Sequence, residues 1–423
     1  MPDAETLAQM RADWNARASE DANYYVAFGR REQDNEEFFA SGADVLRDLE
    51  SQLPRLRQRE AALEIGCGPG RLLRPMARHF GEIHGVDVSD EMIRLATERL
   101  RDTPNAHPHQ GSGAGLEMFP DATFDFVYSY AVFQHIPSRE VVFRYLTEAH
   151  RVLKPGGVLR CQLNGLPPHA RQYDTWSGVR VTPGEVARFA RETGFRLLAL
   201  DPIWTQYMWI TCRKPDAHAA PAHERARIRN ITNAITGEAA APVSGPMAAL
   251  SLWVENLPED CDLNSLAVAV ERLPCRVSYI GEPAHDGVTQ VNAALPGNVR
   301  TGLAPLAIFR DGAPLCEGWM RLIPAGPPTP HVVSIGDGVN LLAGSVVASR
   351  MLKAVLVEVE RPAEFAAEFD GEPVREVDMF CVDPLFQRYE FNFPVPAEAA
   401  RGPHHVRVRL GRRAFAPVVI EVA

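Results

Sequence analysis

Three glycines fall within five positions, at Gly66, Gly68 and Gly70, directly behind the apolar run Ala61–Ile65 and ahead of "RLLRPMARHF". A chain leaving a buried strand this way needs backbone without Cβ atoms, both for the tight exit and for a ligand to lie against the main chain. The flanking texture agrees. Up to about Lys214, helical patterns alternate with short apolar runs: "AALEI", "EIHGVDV", "TFDFVYSY" and "GGVLRCQLN" read as strands, and "SDEMIRLATERLR", "REVVFRYLTEAHRVL" and "TPGEVARFARETGF" as helices. Ser89 and Thr182 are good N-caps, and Gly194 is a stop. Such alternation predicts a parallel sheet covered by helices, with a ligand crevice at the carboxyl ends of its strands. "RLLALDPIWTQYMWITCRK" reads as two strands joined at Asp201-Pro202, an antiparallel ending.

Two ligand classes fit the loop, a dinucleotide and S-adenosylmethionine. Both carry a ribose, and both would use Asp87, at the end of "HGVDV", to accept hydrogen bonds from its hydroxyls. The spacing separates them. A dinucleotide fingerprint is G-x-G-x-x-G, whereas the chain has G-x-G-x-G preceded by Glu64. A carboxylate repels a pyrophosphate and attracts an aminoacyl sulfonium.

Taken together, "ALEIGCGPGR", "GVDVS", "FDFVYSYAVFQHIP" and "EAHRVLKPGG" resemble, in order and spacing, the motifs of class I S-adenosylmethionine-dependent methyltransferases, over about Trp14 to Lys214. The resemblance implies a Rossmann-like α/β domain with a mostly parallel seven-stranded sheet whose last strand runs against the others. It implies Gly66, Cys67 and Gly68 at the aminoacyl end of the cofactor, Asp87 on the ribose, Val88 against the adenine, and Ser129 and Tyr130 facing cofactor and acceptor. In the loop where the family often has an acid for the adenine amino group, the nearest residues are Ser112 and Gly113. His135 in "FQHIP" follows the fourth strand and is the candidate general base, with a structural, loop-packing histidine as the alternative.

Residues 215–246 are rich in Ala, Pro and small polar residues and read as a linker holding a short helix, "HERARIRNITNAI". Beyond Met247 the pattern turns to period-two alternation with turn signals. "LAVAVERLPCRVSYIG" superposes on "EFAAEFDGEPVREVDMF" with Pro274 on Pro373, an offset of 99. The expected organisation is therefore a methyltransferase domain over 1–214 with an N-terminal helical cover, a linker, and two all-β sandwiches resembling immunoglobulin-like domains over 247–328 and 329–423.

The formal net charge of −10 disfavours nucleic acid and anionic membrane as general partners. The N-terminal stretch lacks the apolar core of a secretory signal, no run has membrane-span length, and the seven cysteines show no C-x-x-C pair. A cytoplasmic location, buried thiols and no metal site are expected. The functional expectation is methyl transfer from S-adenosylmethionine to oxygen or nitrogen of a small-molecule or saccharide acceptor. The β domains would bind a glycan, a protein partner or a second copy. A non-catalytic platform that binds the cofactor is the alternative.

Overall fold

The run Ala61–Ile65 forms β1, the centre of the sheet that carries the glycine loop. This computed structural model describes residues 4–27, 31–168, 172–216, 225–326, 329–339, 344–383 and 387–423. Around β1 stand β2 (Glu82–Asp87), β3 (Ala106–Gln110), β4 (Phe124–Ser129), β5 (Leu153–Leu163), β6 (Arg196–Asp201) and β7 (Met208–Arg213). The sheet order is β3-β2-β1-β4-β5-β7-β6, parallel except that β7 runs against both neighbours. In register, Glu64 stands level with Gly85 on β2 and Tyr128 on β4.

The helices are α1 (Ala4–Ala27), α2 (Asn35–Ala40), α3 (Ala43–Glu50), α4 (Leu73–Met76), α5 (Asp90–Arg99), α6 (Arg139–Val152) and α7 (Pro183–Thr193). Local chemistry sets their ends. Ser89 accepts from the Met92 amide at 3.1 Å, Thr182 and Glu185 form a capping box, and Gly194 closes α7 at φ 77°. The helix expected over "RLLRPMARHF" is shorter: α4 has four residues and is followed by a 3-10 turn at Ala77–His79. Pro75 has no amide hydrogen to continue the ladder. Apolar side chains fill both faces of the sheet, Leu63, Ile65, Val127 and Leu146 on one, Ala62, Leu73, Met76 and Phe126 on the other.

The chain divides into two compact units, Met1–Glu20 with Gly42–Ala325, and Asp21–Ser41 with Gly326–Ala423. Within α1, Asp21 leaves helical geometry (φ −166°, ψ 87°) at that division. In the first unit a β module follows the methyltransferase-like sheet and extends it: Tyr279 of Leu273–Ile280 pairs antiparallel with Ala199 of β6. The Arg55 side chain, 3% exposed, donates to Glu282 at 3.0 Å and to the Ile280 carbonyl at 3.1 Å, riveting the two.

Strands of this module pair in the order Arg227–Asn233, Ala249–Glu255, Val288–Ala294 and Leu273–Ile280, and Leu273–Ile280 pairs on its N-terminal part with Leu266–Val270, which leads to Gly302–Arg310 and Ala313–Ile323. They share one core containing Leu252, Val268, Val291 and Ile308. The helix expected in the linker is thus a strand of this module. In the second unit His331–Asp337, Met351–Val357, Arg388–Pro394 and Asp378–Asp383 form one sheet, and Phe365–Phe369, Gly402–Leu410 and Val418–Val422 belong to another, around Phe391, Phe393, Val406 and Val408. Strand order repeats between modules. Gly302–Arg310 and Gly402–Leu410 begin 100 residues apart, and Leu266–Val270 and Phe365–Phe369 begin 99 apart.

Candidate active site

At the carboxyl end of β1, Gly66, Gly68 and Gly70 have φ of 72°, 51° and 88°, a region costly for residues with a Cβ. Gly66 and Cys67 donate their amides to the Val86 carbonyl at 2.7 and 3.0 Å, which docks the loop on the tip of β2. There the Asp87 carboxylate accepts from the amides of Gly68 and Ser89, both at 2.9 Å. Burial pushes Asp87 up to about 6, so it is largely ionised at neutral pH.

Glu64 is 3% exposed and accepts from the Tyr128 hydroxyl at 3.1 Å. Burial pushes its carboxyl up to about 8, against the opposing pull of Tyr128 and the Arg71 guanidinium. The loop is therefore flanked by one ionised carboxylate and one buried carboxyl that gives up its proton if a cation arrives beside it. Those groups fit a ligand carrying a ribose and a positive charge. They do not suit a pyrophosphate.

The other expected cofactor residues converge on the same end of the sheet. The Cys67 thiol is buried, and burial raises its pKa well above the usual thiol value. Val88 faces Gly113, where an added Cβ would come within 2.8 Å of Val88 Cγ2. Ser112 Oγ accepts from the Ala114 amide at 3.2 Å. Ser129 is fully buried and donates its hydroxyl to the Ile65 carbonyl at 2.8 Å, tying β4 to β1. Tyr130 stacks on Trp209 at 5.7 Å, with the Arg71 guanidinium 5.7 Å from the tyrosine ring.

His135 is held on both ring nitrogens. Nδ1 lies 3.2 Å from the Trp176 carbonyl and Nε2 lies 3.2 Å from Gln134 Nε2. The tautomer protonated on Nδ1 satisfies both contacts. Burial lowers the ring to about 4, so it is neutral at pH 7. It packs edge-on to Trp14 of α1 at 5.4 Å.

The N-terminal half of α1 covers the crevice. Asn15 accepts from the Ser89 hydroxyl at 2.6 Å and donates to Asp90 at 2.7 Å; Arg17 donates to Thr175 through both terminal nitrogens at 3.0 Å. Sequence reasoning missed a glutamine network. The Gln162 amide nitrogen donates to Gln134 Oε1 at 3.1 Å and to the Gln206 carbonyl at 2.9 Å, while its oxygen accepts from the Ala131 amide at 3.0 Å. It joins the loops after β4 and between β6 and β7, and only strand register brings these residues together. Beside it stand exposed aromatics, Trp176, Trp204 and Tyr207, with Trp204 at φ 61°.

Two comparisons with curated proteins bear on this arrangement. Phosphoethanolamine N-methyltransferase 2 of Caenorhabditis elegans is 31% identical over 144 residues, 32% of this chain and 32% of the relative. Trans-aconitate 2-methyltransferase of Afipia carboxidovorans is 37% identical over 119 residues, 28% of this chain and 43% of the relative. The chain spans less than half the length of either. Among solved structures, phosphoethanolamine N-methyltransferase 1 of Haemonchus contortus aligns with a TM-score of 0.37 at 16% identity, covering 52% of this chain and 51% of that one. The family model described as a methyltransferase domain matches residues 63–161, the segment that holds Glu64, the glycine loop, Asp87 and His135, and over that segment the chain carries a methyltransferase domain.

Proposed function

We propose that the chain is an S-adenosylmethionine-dependent methyltransferase acting on a small-molecule acceptor. The observation that carries this reading is the pair of carboxyl groups around the glycine loop. Asp87 is oriented by the Gly68 and Ser89 amides for a ribose, and Glu64 is buried where a positive charge would ionise it. The relatives named above for phosphoethanolamine and trans-aconitate support a small acceptor. The repeated strand order supports two immunoglobulin-like modules after the catalytic domain. No helix among the described residues is long and apolar enough to cross a membrane.

The cofactor supplies a methyl group already activated on sulfur. What remains for the chain is to hold both reactants in line and keep water out. Asp87 and the loop amides fix one end, and α1 closes over it through Asn15. The Gln134–Gln162–Gln206 network fixes the loops that bear Tyr130, Trp204 and Tyr207 on the acceptor side. We assign His135 to positioning: to take a proton, Nε2 would have to give up Gln134, and burial makes it a weak base near pH 7.

Calorimetry tests the cofactor. S-adenosylmethionine and S-adenosylhomocysteine should bind and NAD should not. Asp87→Ala should weaken the first two by roughly tenfold to a hundredfold, the range for hydrogen bonds to a charged group. No binding to the intact protein, or a preference for NAD, sinks the proposal.

His135→Asn separates positioning from base catalysis. A base is worth roughly a hundredfold or more in kcat. As a positioning residue, His135 should cost less than tenfold in turnover of phosphoethanolamine, trans-aconitate or another small acceptor. Its folded pKa of about 4 lies below the unfolded value of about 6.5. Its contribution to stability is therefore complete above pH 6.5 and is lost as pH falls toward 4. The melting temperature of the wild type should drop more steeply across that window than that of the variant. A loss in kcat of more than a hundredfold would restore the base.

A further inference from the structure

In the first β module, side chains alternate along residues 303–308 and 317–322. Ala304, Leu306 and Ile308 on one strand and Met320 and Leu322 on the next enter the core. Leu303, Pro305 and Ala307, and with them Glu317, Trp319 and Arg321, therefore stand on the opposite, outer face. Pairing sets them level across the strands: Leu303 with Arg321, Pro305 with Trp319, and Ala307 with Glu317. On the neighbouring strand Leu266–Val270, Ala269 stands level with Ala307. The result is a face of mostly small side chains with one tryptophan at its middle. It takes no part in the candidate active site.

Trp319 is 63% exposed, and Leu303, diagonal to it across the pair, is 67% exposed. Large apolar side chains side by side on a sheet face mark a surface that meets something. The charges beside them are ordered. Glu317 lies two residues before Trp319 and Arg321 two residues after, each about 7 Å away along the strand. Among the described residues, none of these three side chains makes a hydrogen bond, ion pair or ring contact. Opposite charges at equal distances from an apolar centre are complementary to themselves. A half-turn about an axis that crosses the strands at Trp319 reverses strand direction. Glu317 then meets Arg321 of a second copy, and Arg321 meets its Glu317. The same operation lays Leu303 over Ala307 of the second copy, large over small, and brings Trp319 against its own equivalent. A half-turn about the strand direction would instead set Glu317 on Glu317 and Arg321 on Arg321.

We propose that this face is the interface of a homodimer, two copies packed sheet to sheet with antiparallel strands about a two-fold axis at Trp319. A closed two-fold contact uses one patch on both copies, which is what the charge order around Trp319 provides. Facing sheets stand about 10 Å apart, a gap that tryptophan, leucine and arginine side chains fill. The apolar side chains supply the burial, and the Glu317–Arg321 pairs fix the orientation. The face is small against the roughly 800 Å² per partner of a standard interface, so the dimer is weak, with a Kd of roughly 1–100 µM. None of this rests on the catalytic reading, because every residue involved belongs to the β module.

Sedimentation velocity of the full chain tests the proposal, at about 0.15 M salt over roughly 1–200 µM protein. The wild type should pass from monomer to dimer across that range. Glu317→Arg and Arg321→Glu should each weaken self-association by roughly tenfold or more, because each sets like charges against one another on both sides of the axis. An equimolar mixture of the two variants should associate to within roughly threefold of the wild type. One copy then carries both arginines and the other both glutamates, and every contact across the axis is again between opposite charges. Trp319→Ala should also weaken the dimer by roughly tenfold or more. The substituted side chains are exposed, so the melting temperature of the dilute protein and its affinity for S-adenosylmethionine should stay at the wild-type values. A monomer throughout the range overturns the proposal. So does a dimer that Trp319→Ala leaves unchanged, or a mixture that associates no better than its components. If a charge variant does not fold, Trp319→Ala decides alone.

Discussion

Gly66→Ala is expected to lose S-adenosylmethionine binding and to lower the melting temperature of the first unit by roughly 3–8 °C. Two costs combine. At φ 72° an alanine pays about 1–2 kcal/mol in backbone strain. Its Cβ would also lie 2.3 and 2.6 Å from the two γ-carbons of Val132, so the loop after β4 must move, at about 1–3 kcal/mol. Neither neighbour can yield cheaply. The Gly66 amide is held on the Val86 carbonyl at 2.7 Å, and Val132 is followed directly by the turn Phe133–His135, anchored through Gln134. Movement on either side disturbs the crevice between Asp87 and Tyr130. Val132→Ala in the same chain removes the obstructing carbons and should return a large part of the stability and some of the binding. A double-mutant cycle in calorimetry and thermal unfolding reads that coupling. Additive losses, or an alanine variant that binds normally, would show that the loop is not packed this closely.

What could be read from the sequence was whatever local chemistry decides. Ser89, Thr182 and Gly194 announce helix ends because caps act within three residues. The glycine loop and Asp87 follow from the strand–loop–helix alternation. What depends on distant pairing was hidden, and Arg227–Asn233 shows why. The segment reads as a short helix, and its Ile228, Ile231 and Ile235 do have helical spacing. In the fold its partner Ala249–Glu255 shifts register between Trp253 and Val254, leaving Arg229 as an extra residue. That bulge turns Ile228 and Ile231, three apart, toward the same face, where both approach the position of a Gly318 Cβ. A local irregularity in a strand imitated the period of a helix.

The candidate site divides the same way. Glu64, the glycines and Asp87 lie within one supersecondary unit, and their roles follow from order along the chain. The catalytic expectation for His135 rested on its place after β4. Its neighbours Gln134, Trp176 and Trp14 come from three separate segments, and they satisfy the ring on all sides. Proximity in sequence to a ligand crevice does not say whether a side chain faces the ligand or the protein. The junction with the first β module is the extreme case: Arg55 and Arg213, far apart in sequence, lie 3.0 and 2.9 Å from one carboxylate oxygen of Glu282, which belongs to that module.

Cofactor affinity should rise with pH up to about 8 and then level off, because Glu64 must be ionised to meet a positive charge. In the free protein burial holds its carboxyl at about 8, so at pH 7 most molecules carry the proton. A sulfonium or ammonium group nearby favours the carboxylate and lowers that pKa in the complex. Binding then releases a proton, and affinity gains up to tenfold per pH unit in the window below 8. The same linkage acts on folding with the opposite sign. A folded pKa raised above the unfolded value of about 4.5 gives stability that is complete below 4.5 and lost as pH rises through 8. The cofactor offsets that loss, so the melting-temperature increment it confers should be larger at pH 8.5 than at pH 6. Glu64→Gln fixes the neutral form. It should bind about as well as the wild type at pH 6, more weakly at pH 8.5, and with no proton release when calorimetry is repeated in buffers of different ionisation enthalpy. A wild-type affinity that is flat from pH 6 to 8.5 would place the cofactor's positive charge away from Glu64 and remove that carboxyl from the binding site.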